Sequence, residues 1–415
     1  MKLISCCNAN ASSLILLFDA IILIFLLNLS TTTLAFIGTS SVNNNKTHQT
    51  RNNNNNVRTR IERKAIISDK NNNKNLNLIR GEKHYNTENC PIIVAERLGV
   101  QPTKINASAK TWKIAWKIHK RLIPILHSTD NCYPSDSSLN IACMWWKSLS
   151  GLDKSSPVYD NKLAYDLLPS GWRNIIRLRK FYPRLHHGNV ELRTAYLDNQ
   201  ISEIKNNIII QDDRTTTTTT TMIRLICMGA GYDTRGVKMI ERNIVDQVYE
   251  LDLPDVVEAK QRLFKRLLKR RPWLQKEIVS MPTLIPCDFN ILPDVEKKLR
   301  TILHDNKQTN NNDDIKWHTI FVFEGVMIYL DDGIPSSLLN ITSNVLKENN
   351  LDGSLCFADR LENISTTDGD DGDSYDSGVK ELEDNGWQIM DWCPKPGLAK
   401  HMGSAKLLST GTYST

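Results

Sequence analysis

Apolar positions along this chain follow two different spacings, and the change comes near residue 220. Upstream the spacing is helical. Trp112, Ile114, Ala115, Trp116, Ile118 and Leu122 mark one helix, and similar patterns near Leu139–Leu149, Trp172–Phe181 and Val190–Ile204 predict three more. Trp145 and Trp146 fall within one of these stretches and read as core. Downstream, short apolar runs at Leu225–Met228, Val248–Leu253, Leu284–Pro286 and Thr319–Leu330 predict buried strands. Helical stretches separate them, among them the basic segment Lys260–Arg271, which keeps Leu263, Phe264, Leu267 and Leu268 on one face. Its charged face is either solvated or open to an acidic partner. A helix at Ser336–Leu346 and strands at Gly353–Ala358, Trp387–Trp392 and Lys406–Ser409 complete the pattern. The alternation predicts an α/β fold: a Rossmann-like, mostly parallel sheet with helices on both faces and an N-terminal helical cap.

The strand ends carry the chemistry. Leu225–Met228 stops at Gly229-Ala230-Gly231, and a helix-like segment follows. Glycine lets the backbone turn tightly and lets a ligand come close. A strand, a glycine turn and a helix in that order mark the first unit of a nucleotide-type site. The dinucleotide fingerprint needs a third small residue where Thr234 stands, so the turn points away from NAD and toward S-adenosylmethionine (SAM), which has no pyrophosphate. The second strand ends at Asp252, where a carboxylate can accept from both hydroxyls of a ribose. After the third come Asp288 and Phe289, a pair suited to adenine, whose amino group a carboxylate can accept from. The fourth strand ends in a lone acid, Glu324.

Taken together, Gly229-Ala-Gly-Tyr-Asp-Thr-Arg235, Tyr249-Glu-Leu-Asp-Leu-Pro254 and Phe323-Glu-Gly-Val-Met-Ile-Tyr-Leu330 resemble the leucine carboxyl methyltransferase family of SAM-dependent enzymes. Two upstream segments strengthen the likeness, Ser156–Ala164, with Pro157, Asp160 and Ala164, and Arg193-Thr194 followed by Asp198. The resemblance runs from about Ala142 to Glu348 and implies a class I SAM-methyltransferase fold with SAM as cofactor. It further implies that Arg193 pairs with the carboxylate of SAM and that Gly229 and Gly231 admit its methionine end. Asp252 would hold the ribose, Asp288 and Phe289 the adenine, and Glu324 the amino group. Tyr329 is the candidate near the methyl acceptor, while Asp233 and Arg235 brace the turn. The implied activity is O-methylation of a carboxylate or hydroxyl on a small molecule. Two alternatives stay open: methyl-esterification of a protein C-terminal leucine, as in the founding members, and a SAM-binding module without turnover.

Charge narrows the partners. The 415-residue chain carries a net +6, but residues 36–83 hold ten Lys and Arg against three acids, which leaves residues 84–415 near neutrality. The folded part has no electrostatic case for nucleic acid. Nine cysteines are scattered without a Cys-x-x-Cys pair, and Cys227, Cys287 and Cys356 fall in strand patterns as core residues. The histidines, His186-His187 included, lie in no ligand spacing with acids, so no metal is implied.

The N-terminus reads as targeting sequence. Lys2, the apolar run Leu14–Leu29 and Thr33-Leu34-Ala35 make a signal peptide over residues 1–35, too short and too polar at Asp19 for a lasting membrane span. From Phe36 to Arg60 the chain has basic and hydroxylated residues and no acid, which is transit-peptide chemistry. The combination resembles two-part plastid presequences, with a secreted or endomembrane-lumen location as the alternative. Residues 36–105 are expected to be largely disordered, with the methyltransferase domain at 106–415: a cap at 106–210 and a sheet core at 222–415. The threonine run 215–221 and the asparagine tracts at 52–56, 71–77 and 310–312 read as loop or linker sequence without chemistry, and the acidic stretch 368–373 as a surface loop.

Overall fold

The computed structural model describes residues 91–100, 138–176, 187–214, 220–274, 281–309, 315–359, 361, 372–394 and 401–408. All of them lie in the compact unit Asn72–Thr415. Helices α1 (Pro91–Arg97), α2 (Ser138–Gly151), α3 (Leu163–Leu167), α4 (Ser170–Ile175) and α5 (His187–Arg214) precede the sheet. Then β1 (Thr220–Met228), α6 (Arg235–Glu241), β2 (Gln247–Asp252), α7 (Pro254–Arg270), β3 (Thr283–Pro286), α8 (Leu292–Thr309) and β4 (Ile315–Glu324) alternate regularly. A 3₁₀ turn at Met327–Tyr329 leads to α9 (Ile334–Glu348), β5 (Asp352–Asp359), α10 (Gly372–Asp384), β6 (Trp387–Pro394) and β7 (His401–Leu407).

The seven strands form one sheet in the order β3-β2-β1-β4-β5-β7-β6. Neighbours from β3 to β5 pair in parallel, and β7 runs antiparallel between β5 and β6. This is the Rossmann-like α/β architecture that the alternation of runs predicts. The order turns back between β1 and β4, so the two crossovers leave a crevice at their carboxyl ends, where open parallel sheets bind ligands.

Leu225–Met228 of β1 are buried on both sides, which is why this stretch is a continuous apolar run and not an alternating one. Leu225 and Cys227 join a core with Leu192 and Ile201 of α5 and Leu263 of α7. Ile226 and Met228 join the opposite core with Leu299 of α8 and Leu338 of α9. The cap rests on the first of these faces, with α5 packed across β1, β5 and β7. Trp145 and Trp146 of α2 are buried, and Trp145 meets Trp172 edge-on with ring centroids 5.9 Å apart. Cys227, Cys287 and Cys356 are buried as expected.

Several boundaries differ from the sequence reading. The folded part begins before residue 106: α1 packs against β6 and buries Val94 and Ala95, so the segment expected to be disordered up to 105 contains a core element. Helix α5 extends past Ile204 to Arg214. Thr220 and Thr221 are not loop but the first residues of β1, paired with Ile315 and Lys316. The last strand lies at His401–Leu407, not at 406–409, because β5 and β6 both offer edges to it. Lys260 is not on a solvated helix face: it is buried with its Nζ 2.7 Å from Glu250 Oε2. The expected helix at 112–122, residues 177–181 of another, the asparagine tracts, residues 215–219 and the N-terminal targeting segment lie outside the described residues. Among the described residues no helix is long and apolar enough to cross a membrane.

Candidate active site

The turn after β1 is built by glycine conformation. Gly229 and Gly231 have φ of 74° and 48°, and a Cβ on Gly229 would lie 2.5 Å from Val326 Cγ2. Gly229 N–H donates to Leu251 O at 2.9 Å, and Gly231 N–H to Asp252 Oδ2 at 2.6 Å, which ties the turn to the end of β2. Asp252 Oδ1 accepts from Leu253 N–H at 2.8 Å. Burial raises the Asp252 pKa against the pull of these two N–H groups. Each oxygen still has a second lone pair to offer. Pro254 starts α7 immediately afterwards, with its fixed φ suited to the first helical position.

Beyond β3, Asp288 Oδ1 accepts from Asn290 N–H at 3.0 Å, and Phe289 packs into the core beside Leu251. Beyond β4, Gly325 takes φ of 70°, and the next two amides, Val326 and Met327, donate to Asp359 Oδ2 at 2.6 and 2.9 Å. A buried acid at the end of β5 thus sets the path of the segment that carries Glu324 and Tyr329.

These strand ends enclose one cavity of about 330 Å³. Arg193, Gly229, Gly231, Asp252, Asp288, Phe289, Glu324 and Tyr329 all line it, so every site residue named from the sequence reaches the same space. Tyr329 sits at its exposed rim, with 57% of its surface accessible. The cavity falls in the range of small-molecule sites.

One end of the cavity is an ion cluster. Arg193 Nε donates to Glu324 Oε1 at 2.7 Å, Lys147 Nζ reaches Glu324 Oε2 at 3.0 Å, and Arg235 Nη2 lies 2.6 Å from the same oxygen. Asp233 Oδ2 accepts from Lys147 at 2.8 Å and from Arg235 Nη1 at 2.9 Å. Asp198 takes Arg235 Nε at 2.8 Å and Lys238 Nζ at 2.7 Å. Burial alone would raise both carboxyl pKa values. The cations outweigh it, bringing Asp233 down to about 2 and Glu324 well below the usual range. Burial likewise opposes the charge on Arg193, and Glu324 more than restores it, so that pKa is raised. The four cations and three acids leave one positive charge in excess, which suits a ligand carboxylate.

Lys147 and Asp359 escaped the sequence reading. The signal for Lys147 is that it is the single charged residue of α2, and with Cys143 and Met144 it makes one stripe along the cavity wall. Asp359 had no legible signal, because its partners are backbone amides more than thirty residues away. Asp233 and Arg235 do brace the turn, and they also line the cavity. Among the described residues no group of three or more His, Cys, Asp and Glu is placed to hold a metal ion.

Residues 142–342 match the sequence profile of the family described as leucine carboxyl methyltransferase. No curated protein matches the chain. Among solved structures, magnesium protoporphyrin IX methyltransferase from Synechocystis PCC 6803 with bound SAM is similar over 54% of this chain and 83% of its own, at 12% identity and a TM-score of 0.31. The 1,6-didemethyltoxoflavin-N1-methyltransferase of Burkholderia thailandensis is similar over 51% of this chain and 78% of its own, at 12% identity and a TM-score of 0.28. The fold assignment stands on the strand order and not on these overlaps.

Proposed function

Residues 142–342, just under half of the chain, match the leucine carboxyl methyltransferase family of SAM-dependent methyltransferases, and we propose that this chain is such an enzyme and methylates an oxygen of a small molecule, a carboxylate in preference to a hydroxyl. The observation that carries this reading is the state of the five lining carboxylates. Asp233, Asp252, Asp288 and Glu324 each accept from a nearby donor, Glu250 is paired with Lys260, and among the described residues no histidine lines the cavity. A hydroxyl acceptor needs a base to take its proton. A carboxylate is already ionised at neutral pH and needs only to be aligned.

The residues present fit the cofactor. SAM supplies, when bound, an electrophilic methyl group on a positively charged sulfur. Arg193 and Lys147 would receive its carboxylate, Glu324 its ammonium, Asp252 its ribose, and Asp288 with Phe289 its adenine, a reading supported by their lining one cavity. Met144, Val256 and Val326 give the cavity dry walls. Alignment and exclusion of water then account for the acceleration. Tyr329, on the rim, is the side chain nearest to where an acceptor would enter.

Labelled methyl transfer to a panel of small acids and alcohols tests the reading. A methyl ester releases volatile label in mild alkali and a methyl ether does not. Base-stable label, or label found only on the C-terminal residue of a protein, would overturn it. The signal-like residues 1–35 and the acid-free stretch from Phe36 favour a plastid location, away from the cytosolic protein substrate of the family's founding members.

A further inference from the structure

We infer that Arg235 is a positioning residue for the cofactor: hydrogen-bonded to Asp198 and Asp233, it acts through Glu324, beside which it fixes a positive charge at 2.6 Å. The inference rests on the reading that Glu324 receives the ammonium of SAM. Arg235 is the most deeply buried of the cations around Glu324, with its side chain 3% exposed against 9% for Arg193 and 11% for Lys147. Its guanidinium spans carboxylates from three parts of the chain: Asp198 on α5, Asp233 in the glycine turn and Glu324 at the end of β4. None of the three acids is free to swing. Asp198 is held on its other oxygen by Lys238, and Asp233 Oδ1 accepts from Thr234 N–H at 2.7 Å. A planar fork can span such an arrangement, whereas a single ammonium cannot.

The arrangement matters at the moment of binding. In the structure Arg193 and Lys147 both lie on Glu324. A cofactor whose carboxylate takes Arg193, and whose ammonium takes Glu324 Oε1, must displace the Arg193 contact. Glu324 then keeps a cation beside it in Arg235, which its hydrogen bonds to Asp198 and Asp233 hold in place. The groups facing Glu324 are Lys147 from α2, Arg193 from α5, Arg235 from α6 and the like-charged Asp233 from the turn. Without Arg235, two cations remain to oppose Asp233 and the cost of burial.

The test is a double-mutant cycle on SAM affinity in the full chain, read by calorimetry across pH 5–8. Arg235→Gln should weaken SAM binding roughly 30-fold or more. The loss relative to the unaltered protein should deepen on acidification, because Glu324 then gains a proton within reach of the assay. Glu324→Gln should abolish the acid limb, and the double variant should bind no worse than Glu324→Gln alone. A merely structural arginine would give independent, multiplying losses and no acid limb, and that result overturns the inference while leaving Glu324 in its role. If Glu324→Gln by itself leaves binding unchanged, the assignment of Glu324 falls and the inference with it. Should Arg235→Gln fail to fold, Arg235→Lys goes through the same cycle. It keeps the charge and loses the fork, so a smaller loss that still vanishes in the Glu324→Gln background is expected.

Discussion

At the scale of single residues, the site uses carboxylates whose surroundings pull them in opposite directions. Asp233 and Glu324 are held ionised by cations, whereas Asp252 rests on two backbone N–H groups and burial raises its pKa. On the proposed role of Asp252 as the ribose partner, Asp252→Ala removes that contact and frees Gly231 N–H. SAM affinity should fall by about 2–3 kcal/mol, measured by calorimetry, and unchanged affinity would take Asp252 out of the site. Asp160 shows the opposite balance outside the cavity chemistry. Its Oδ2 accepts from Ala164 N–H at 2.9 Å at the start of α3, yet burial pushes its pKa up to about 6. Between about pH 4 and 6 the folded chain keeps a proton that the unfolded chain gives up, so stability falls as pH rises through that window. Asp160→Asn cannot ionise. It should therefore flatten the urea midpoint between pH 4 and 6 and raise stability at pH 7 by up to about 3 kcal/mol. A variant whose pH dependence matches the unaltered protein would contradict this origin of the slope.

At the scale of elements, what the sequence made legible follows from burial. The C-terminal halves of β1 and β4, Leu225–Met228 and Ile320–Phe323, are apolar because helices cover both faces, and a run of that kind ending near a glycine can be recognised without a structure. Strand β7 could not be. Its sequence, His-Met-Gly-Ser-Ala-Lys-Leu, holds few strand-forming side chains, and it is a strand because β5 and β6 flank it. Gly403 is needed there, since a Cβ would lie 2.3 Å from Phe357 Cζ. Helix α1 was lost in the same way, as seven residues behind an asparagine-rich stretch. The site divided along the same line: groups at strand ends could be named in order, while Lys147 had to be brought in by a cap helix and Asp359 by backbone amides. Lys260 illustrates how an element can mislead. Helix α7 carries a basic run, and one member of it turns inward to pair with Glu250 beneath the β2 end, both side chains 2% exposed. Lys260→Met leaves Glu250 buried without its cation and should cost about 3–5 kcal/mol. Adding Glu250→Gln should recover part of that loss in thermal or urea unfolding. A single variant as stable as the parent would show that the pair contributes nothing.

At the scale of the whole molecule, the cap and the sheet share one core, and its N-terminal limit is set by α1. A chain starting at Cys90 should unfold at the same urea concentration as a longer one and bind SAM. A chain starting at residue 106 strips Val94 and Ala95 from the core and should be destabilised by about 2–5 kcal/mol; equal midpoints would place α1 outside the cooperative unit. We propose that residues 1–65 direct the protein to a plastid; fused to a fluorescent reporter they should take it there, and Phe36→Ala should divert it. A cytosolic reporter, or one held uncleaved in membranes, would reject this route. The place of β7 bears on the order in which the molecule can be made. Tyr196 on α5 donates to Asp391 of β6 at 2.7 Å, and Ser404 of β7 donates to Gln200 on α5 at 2.8 Å, so the helix that presents Arg193 is fastened by strands 195 and 204 residues further along the chain. Strand β6 emerges before β7 but reaches the sheet only through it. During translation β6 therefore leaves the ribosome before residues 401–407, through which it joins the sheet, and the helix that presents Arg193 gains these two fastenings only once both strands are out.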